Sequence, residues 1–376
     1  MWHTIIYSIL HMFVDAVCAF AMYGCFMAGP RGYYNILIYN FCAFAVQMPL
    51  GAWMDVLCAK RDNRSIKLEK NSEKSPDIPF LFAAAGAVLT LLGAFISPII
   101  LGLGNALFHV GGGVDVIRED RQNGKRGQNL GIFVAPGALG LYLGGLATSV
   151  IDLKNIYANR VYGVLACAIW MVGLLLVLVL RKKKDRTEDH SQDATVRDSR
   201  DAAGRAYDVH RKNSIVLVCC LLVVILRSHV GMAVEMPWKV GVFEGVMGTV
   251  AVVVGKMAGG FLAARFDTRK VICFSLAAAA GCYLFCDLPV TGWFALFLFN
   301  MTMPITLYLL ICKYEKLPGF SFGLLTFGIF LGTLPTYFAN RFGVSMVVSG
   351  AVIGCVGSLV SLVLLLCAIA NKEKGK

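Results

Sequence analysis

Charge is scarce in this chain. Only 15% of its 376 residues are Asp, Glu, Lys or Arg, while 57% are apolar. With a mean hydropathy of +0.69, that leaves too little polar surface for a soluble fold of this size. Motifs of soluble catalysis are missing as well. Thirteen cysteines are present, but no C-x-x-C occurs, and Cys219-Cys220 is the one adjacent pair. Most cysteines lie singly in apolar runs, where they act as small apolar residues, so neither a metal site nor a disulfide framework is expected. A phosphate loop, a nucleophile elbow and an H-E-x-x-H helix are read as absent. No cofactor is expected, and enzymatic chemistry has little support.

What is abundant is apolar sequence in runs of membrane-spanning length, about 18 to 25 residues each. Twelve spans fit, giving an all-α membrane fold. Spans one to six lie near residues 2–26, 32–57, 78–96, 98–117, 128–150 and 157–180, and spans seven to twelve near 214–236, 240–263, 271–288, 291–312, 320–340 and 344–370. The first run starts at Trp2 with no basic segment before it and exceeds a signal-peptide core, so it reads as an uncleaved span. Residues 181–213 carry ten Lys/Arg and seven Asp/Glu. They read as a solvated, largely disordered linker between two six-helix domains, 1–180 and 214–376.

Basic residues fix the expected orientation. Lys60, Arg61, Arg64, Lys67, Lys70 and Lys74 follow span two; Arg118, Arg121, Lys125 and Arg126 follow span four; Arg265, Arg269 and Lys270 follow span eight. Together with the linker and the C-terminal lysines, these loops fall on one side. The positive-inside rule makes that side, and both termini, cytoplasmic, with a bacterial inner membrane as the expected setting. The net charge of +12 then reflects topology and contact with anionic lipid. Because the basic residues are spread over six separate segments, nucleic-acid binding is not expected.

The two halves echo each other. Gly51-Ala-Trp-Met-Asp55 precedes Lys60-Arg61, and Gly260-Phe-Leu-Ala-Ala-Arg265 precedes Arg269-Lys270. Asn105 and Asn300 open comparable spans, each followed by a basic turn and a glycine-rich helix. Parallel halves that rock about a midplane site make an alternating-access carrier. The Gly51-x-x-x-Asp55 step and its echo resemble the loop signature of the major facilitator superfamily, although Val56 and Ala264 replace the expected basic and acidic residues. Three segments further resemble the fosmidomycin-resistance branch of that superfamily: His11-Met-Phe-Val-Asp15, Gly102-Leu-Gly-Asn-Ala-Leu-Phe-His109 and Leu226-Arg227-Ser228. Val110 stands where that branch has proline. The series Gly131, Gly137, Gly140, Gly144 and Gly145 resembles the superfamily's antiporter signature, with Gly145 in place of proline. The resemblance implies export, and the alternative is plain helix packing.

Ionisable groups inside apolar runs are the candidate site, since a charge near the bilayer centre costs about 2.5–3.5 kcal/mol on insertion scales. His11 and Asp15 share a helix face, as do Asn105 and His109. Asp15 is either a proton carrier or half of a structural ion pair. His11 and His109 either titrate with it or are packing histidines. Arg227 cannot plausibly lose its proton, so it requires an anion: the substrate, a lipid phosphate or a protein carboxylate, of which Asp15 across the halves is a better partner than Glu235. Lys256 and His229 join Arg227 and Asn105 as candidate substrate contacts. Asp55 and the nearby basic loop resemble the superfamily's cytoplasmic gate, with Arg265 a further gating candidate, and Glu235, Lys239 and Glu244 form either an outer gate or a solvated rim. Asn40, Gln47 and Asn300 are read as groups that bond helices together, without substrate contact.

The function this implies is secondary active transport by a monomer. It would move a small anionic or zwitterionic solute or drug, coupled to protons, with export favoured. Uptake by proton symport is the alternative within transport. A membrane sensor or scaffold that kept the fold is the alternative outside it.

Overall fold

The computed structural model describes residues 1–67, 77–150, 156–188, 206–343 and 349–373. Among them every regular element is helical, and twelve helices follow the twelve expected spans. In the first half these are α1 (Trp2–Phe26), α2 (Gly32–Arg61), α3 (Ile78–Ile96), α4 (Pro98–Gln122), α5 (Gln128–Ser149) and α6 (Ile156–Glu188). The second half holds α7 (Ala206–Ala233), α8 (Val242–Arg265), α9 (Thr268–Leu284), α10 (Pro289–Lys313), α11 (Pro318–Phe342) and α12 (Gly350–Glu373). Ten of these are long and apolar enough to cross a membrane, whereas α6 supplies the shorter apolar stretch Gly163–Val179 and α9 has 17 residues.

Local chemistry sets many of the helix starts. Proline occupies the first turn of α3, α4, α10 and α11, where its missing N–H costs no hydrogen bond. Ser97 caps α4 by accepting from Ile100 N at 3.3 Å, and Asp267 caps α9 by accepting from Arg269 N at 3.0 Å. Each satisfies a donor that the helix ladder leaves over. Helix α1 ends in a π-helical turn at Met22–Phe26, and α2 is interrupted by one at Phe41–Ala45.

Some spans run longer than expected. Helix α4 continues to Gln122, α6 continues to Glu188 and α7 begins at Ala206. Both ends of the expected linker are therefore helical, and residues 189–205 lie outside the described residues. Residues 344–348 of the twelfth expected span do too. The elbow reading needs a correction of detail: Gly319-Phe-Ser-Phe-Gly323 matches the elbow's letters. It lies inside α11 with no strand before it, however, and Ser321 is buried with its hydroxyl donated to Leu317 O at 2.8 Å.

Within the first half α1 packs on α5 and α3 on α4; within the second, α12 packs on α7 and α9, and α8 on α10. Side chains such as Ile169, Trp170, Phe274 and Val363 point away from both bundles and are well exposed. An apolar girdle of this kind needs lipid around it. The halves meet along two seams, α2 with α11 and α5 with α8.

Both seams are tight at the end that carries Arg118, Arg121, Arg265 and Lys313, the basic end. A Cβ on Gly51 would collide with the backbone carbonyl of Gly319, and one on Gly323 with that of Gln47. Gly131 and Gly260 face each other across the second seam, where an added Cβ on either would lie 3.2 Å from the partner's Cα. Asp55 accepts from Gly319 N at 2.9 Å and Phe320 N at 2.8 Å, which satisfies two of the free donors at the start of α11 and opposes its dipole. Arg121 bonds Glu315 O at 2.6 Å and Ile311 O at 3.1 Å, tying α4 to the end of α10.

Gly51→Val should cost about 1–3 kcal/mol by overpacking this seam and hold the basic end apart. Cys58, buried one helix turn beyond Asp55, is expected to react with a membrane-permeant thiol reagent faster than in wild type, read by peptide mass mapping. An unchanged Cys58 rate would show that closure of the seam does not depend on the bare Gly51.

Candidate functional site

Helix α5 is broken at Ala135, between Gln128–Val134 and Pro136–Val150, because Pro136 has no N–H to continue the ladder. Ala138 N bonds Ala135 O at 3.3 Å instead, so Val134 O is released. Side chains from other helices take the carbonyls at this break. His11 Nδ1 lies 2.7 Å from Phe133 O, and Lys256 Nζ donates to Val134 O at 3.2 Å. Gly137 follows at once, and any Cβ there would strike His11 Nε2 and Asp15 Oδ2. The sequence Ala135-Pro136-Gly137 thus supplies both the acceptors and the room for a polar cluster in an apolar core.

The cluster joins α1 and α4. His11 Nε2 lies 3.1 Å from Asp15 Oδ2 and 2.7 Å from His109 Nε2. His109 Nε2 is also 3.7 Å from Asp15 Oδ1, and its Nδ1 lies 2.8 Å from Asn105 O. Asn105 Nδ2 donates to Asp15 Oδ1 at 3.0 Å and approaches Cys18 Sγ at 3.5 Å. All four polar residues, His11, Asp15, Asn105 and His109, are buried.

Proton bookkeeping follows from the partners. A carbonyl oxygen only accepts, so each Nδ1 must carry a hydrogen. Neutral imidazoles would then turn two Nε2 lone pairs toward each other at 2.7 Å, beside a carboxylate. That arrangement is repulsive unless a proton sits between them. One proton shared by the two Nε2 atoms would relieve this, with Asp15 Oδ2 3.1 Å from His11 Nε2 to balance its charge. A metal ion fits less well. The three ligand atoms lie within 4.8 Å of one another, but two nitrogens on one tetrahedral Zn²⁺ with bonds of about 2.0–2.1 Å stand roughly 3.3 Å apart, wider than this pair.

Above the cluster, on the side away from the basic end, lies a cavity of about 930 Å³ between the halves. Asp15, Cys18, Arg227 and Ser228 are on its wall, as are Lys239, Asn340 and Arg341. Ser228 donates to Ile329 O at 2.8 Å, linking α7 to α11. Farther out, the rings of Tyr33 and Tyr337 stack at 4.2 Å, the Tyr337 hydroxyl donates to Tyr33 O, and Arg341 lies 5.0 Å over the Tyr33 ring. These contacts brace the α2–α11 seam at the far end and leave the cavity beside it.

Several expected contacts are not made. Asp15 and Arg227 both face the cavity but form no ion pair within 4 Å, because Asp15 is already held by His11, His109 and Asn105. Arg227 Nη1 is buried without a hydrogen bond. Lys256 is absent from the wall, since Val134 O holds its ammonium. Asn105 positions Asp15 and does not reach the cavity. His229 is not on the wall either, and its Nδ1 has no partner.

At the inner end Asp55 is satisfied by backbone N–H groups, and exposed Arg265 makes no ion pair within 4 Å among the described residues. At the outer end Glu235 and Lys239 are likewise unpaired within 4 Å. The turn closed by Lys239 N to Met236 O at 3.0 Å carries Lys239 to the cavity wall. Asn40 and Asn300 do reach the wall, contrary to expectation, while Gln47 bonds Ala43 O of its own helix at 2.5 Å. The α5 glycines clear α1: Gly140 faces Met12 O and Gly144 faces Ala16 O. Sequence reasoning missed the cavity tyrosines, Tyr23, Tyr33, Tyr39, Tyr283 and Tyr337; an aromatic on a membrane helix carries no mark that separates cavity from lipid.

Pro136→Ala should restore the α5 ladder and draw the carbonyls at the break away from His11 and Lys256. The expected result is a folded protein in which the His11 and His109 side-chain resonances shift, seen by NMR of ¹⁵N-histidine. Unchanged resonances would mean that the break does not position the cluster.

No family model matches the sequence, and no curated protein matches it. Solved structures do. One is the E. coli fucose:proton symporter FucP as a single-substitution variant, with 14% identity, 98% of each chain covered and a TM-score of 0.58. Another is the major facilitator superfamily transporter FucP in an outward conformation, with 14% identity, 99% of this chain and 98% of that chain covered, and a TM-score of 0.59. At that identity the likeness is one of architecture: the chain has the major facilitator fold, two six-helix bundles around a central cavity.

Proposed function

We propose that the protein is a multi-pass secondary active carrier that moves a small organic anion or zwitterion by alternating access, coupled to protons at His11, Asp15 and His109. The observation that supports this most is one residue with two faces. Asp15 borders the cavity on one side and balances the histidine pair on the other. A change in either changes the other, which is what coupling requires. The basic end is taken as cytoplasmic, so the cavity opens outward and the Asp55–α11 and Arg121–α10 contacts form the closed inner gate. Arg227 anchors the anionic group of the substrate.

Export by proton antiport is the proposed direction, on the resemblance of the α5 glycine series. Symport is the second reading, favoured by two observations. FucP is described as a fucose:proton symporter, and a proton on the cluster and an anion at Arg227 attract each other. Antiport needs a substrate that competes with the proton, as a zwitterion does when its ammonium group takes Asp15. Neither reading needs a bound cofactor, nucleic acid or second subunit.

In proteoliposomes with an inward proton gradient, wild type should couple solute flux to proton movement. Asp15→Asn should lose the coupled flux by about tenfold or more, equal to at least 1.4 kcal/mol of coupling, while still binding solute. Proton movement opposite to the solute supports antiport, and movement with it supports symport. Solute flux that is indifferent to the gradient and to Asp15→Asn would end the proton-coupled reading.

A further inference from the structure

The hydrogen-bonding groups on the cavity wall are unevenly committed. Ser228 donates to Ile329 O at 2.8 Å, Thr249 to Gly245 O at 2.9 Å, Thr333 to Phe330 O at 2.7 Å and Asn300 to Leu296 O at 2.8 Å. Each spends its donor on backbone, chiefly of its own helix. The Tyr337 hydroxyl is spent on Tyr33 O. Tyr23, Asn40 and Asn340 line the same cavity without such a bond among the described residues.

Its cations are different. Arg227, Lys239 and Arg341 face Asp15 as the one acidic residue on the wall among the described residues. Arg227 is the cation at the cavity floor, beside Ser228, and its buried Nη1 has no hydrogen-bond partner. A guanidinium in a water-poor site gains most from a planar anion that takes two of its N–H groups. Arg341 is remote. Ser228 meets α11 at Ile329, and Arg341 lies twelve residues farther along that helix, about 18 Å at 1.5 Å per residue. A small molecule at the floor therefore meets Arg227 and not Arg341. Around it the wall is aromatic, with Tyr39, Phe44, Tyr283 and Phe299, Tyr283 and Phe299 meeting edge to face at 5.7 Å. The volume, about 930 Å³, is in the range that encloses a drug-sized ligand.

We infer that the carrier's substrate has an apolar ring as its body and one anionic group, held by that group at Arg227 and by its ring against Tyr39, Tyr283 and Phe299. This rests on the carrier reading for its meaning but not for its test, because binding is read without flux.

Isothermal titration of the detergent-purified full chain is the experiment. The probes are 3-phenylpropanoate, its neutral amide, propanoate and L-fucose, titrated into wild type, Arg227→Gln and Arg227→Lys. The expected result is saturable binding of 3-phenylpropanoate, with the amide, propanoate and fucose each weaker by about tenfold or more. Arg227→Gln should weaken 3-phenylpropanoate by about ten- to a hundredfold, with Arg227→Lys between it and wild type. A melting curve checks that both variants remain folded. Fucose binding as tightly as 3-phenylpropanoate, no binding of 3-phenylpropanoate, or binding indifferent to Arg227→Gln in a folded protein each overturns the inference. Binding without flux in liposomes would instead overturn the carrier reading and leave this one standing.

Discussion

Two imidazole nitrogens 2.7 Å apart beside a buried carboxylate are the constraint around which this molecule is organised. Lone pairs cannot face each other at that distance in an apolar core without a cation between them. A proton shared between them would satisfy both rings, and Asp15 lies beside them to balance its charge. Everything near the cluster serves to hold that geometry. The carbonyls of Phe133 and Asn105 fix the ring orientations, Asn105 steadies Asp15, and Gly137 leaves the space.

The backbone break in α5 is the structural cost of this arrangement. Proline inside a membrane helix leaves polar backbone groups unsatisfied, and lipid cannot satisfy them. Here ionisable side chains from α1 and α8 do so. The same helix forms one of the two seams between the halves, so the cluster is joined to the surface on which the halves meet. Closure at the basic end relies on glycine contacts and on Asp55 capping α11. Neither uses an ion pair between side chains. In the proposed carrier such a contact parts without stranding two bare charges, which would be expensive to desolvate.

Much of this was legible in sequence. The twelve apolar runs gave the helices, because the bilayer sets one length for all of them. His11 with Asp15, and Asn105 with His109, stood out because four-residue spacing places each pair on one face and charge in a span is costly. That these two pairs form one cluster was not legible, since it depends on how α1 and α4 pack. The assignments of Lys256 and Arg265 failed for a related reason. Spacing shows that a cation is at a given depth, but not which way the side chain turns, and here one bends to a backbone carbonyl and the other to the surface. The pairing of Asp15 with Arg227 failed because symmetry between the halves predicts opposition, while Asp15 has nearer partners on its own side. The cavity tyrosines were invisible because aromatic residues serve lipid-facing and cavity-facing surfaces equally well.

The central claim is that the buried pair shares one proton, and solid-state ¹⁵N NMR of histidine-labelled protein in bilayers at neutral pH tests it most directly. His11 and His109 are assigned by comparison with single His→Gln variants. The account predicts three protonated ring nitrogens among four, with the fourth, an Nε2, hydrogen-bonded. Two unprotonated Nε2 nitrogens, or four protonated ones, would contradict it and reduce the cluster to a packing feature beneath the cavity.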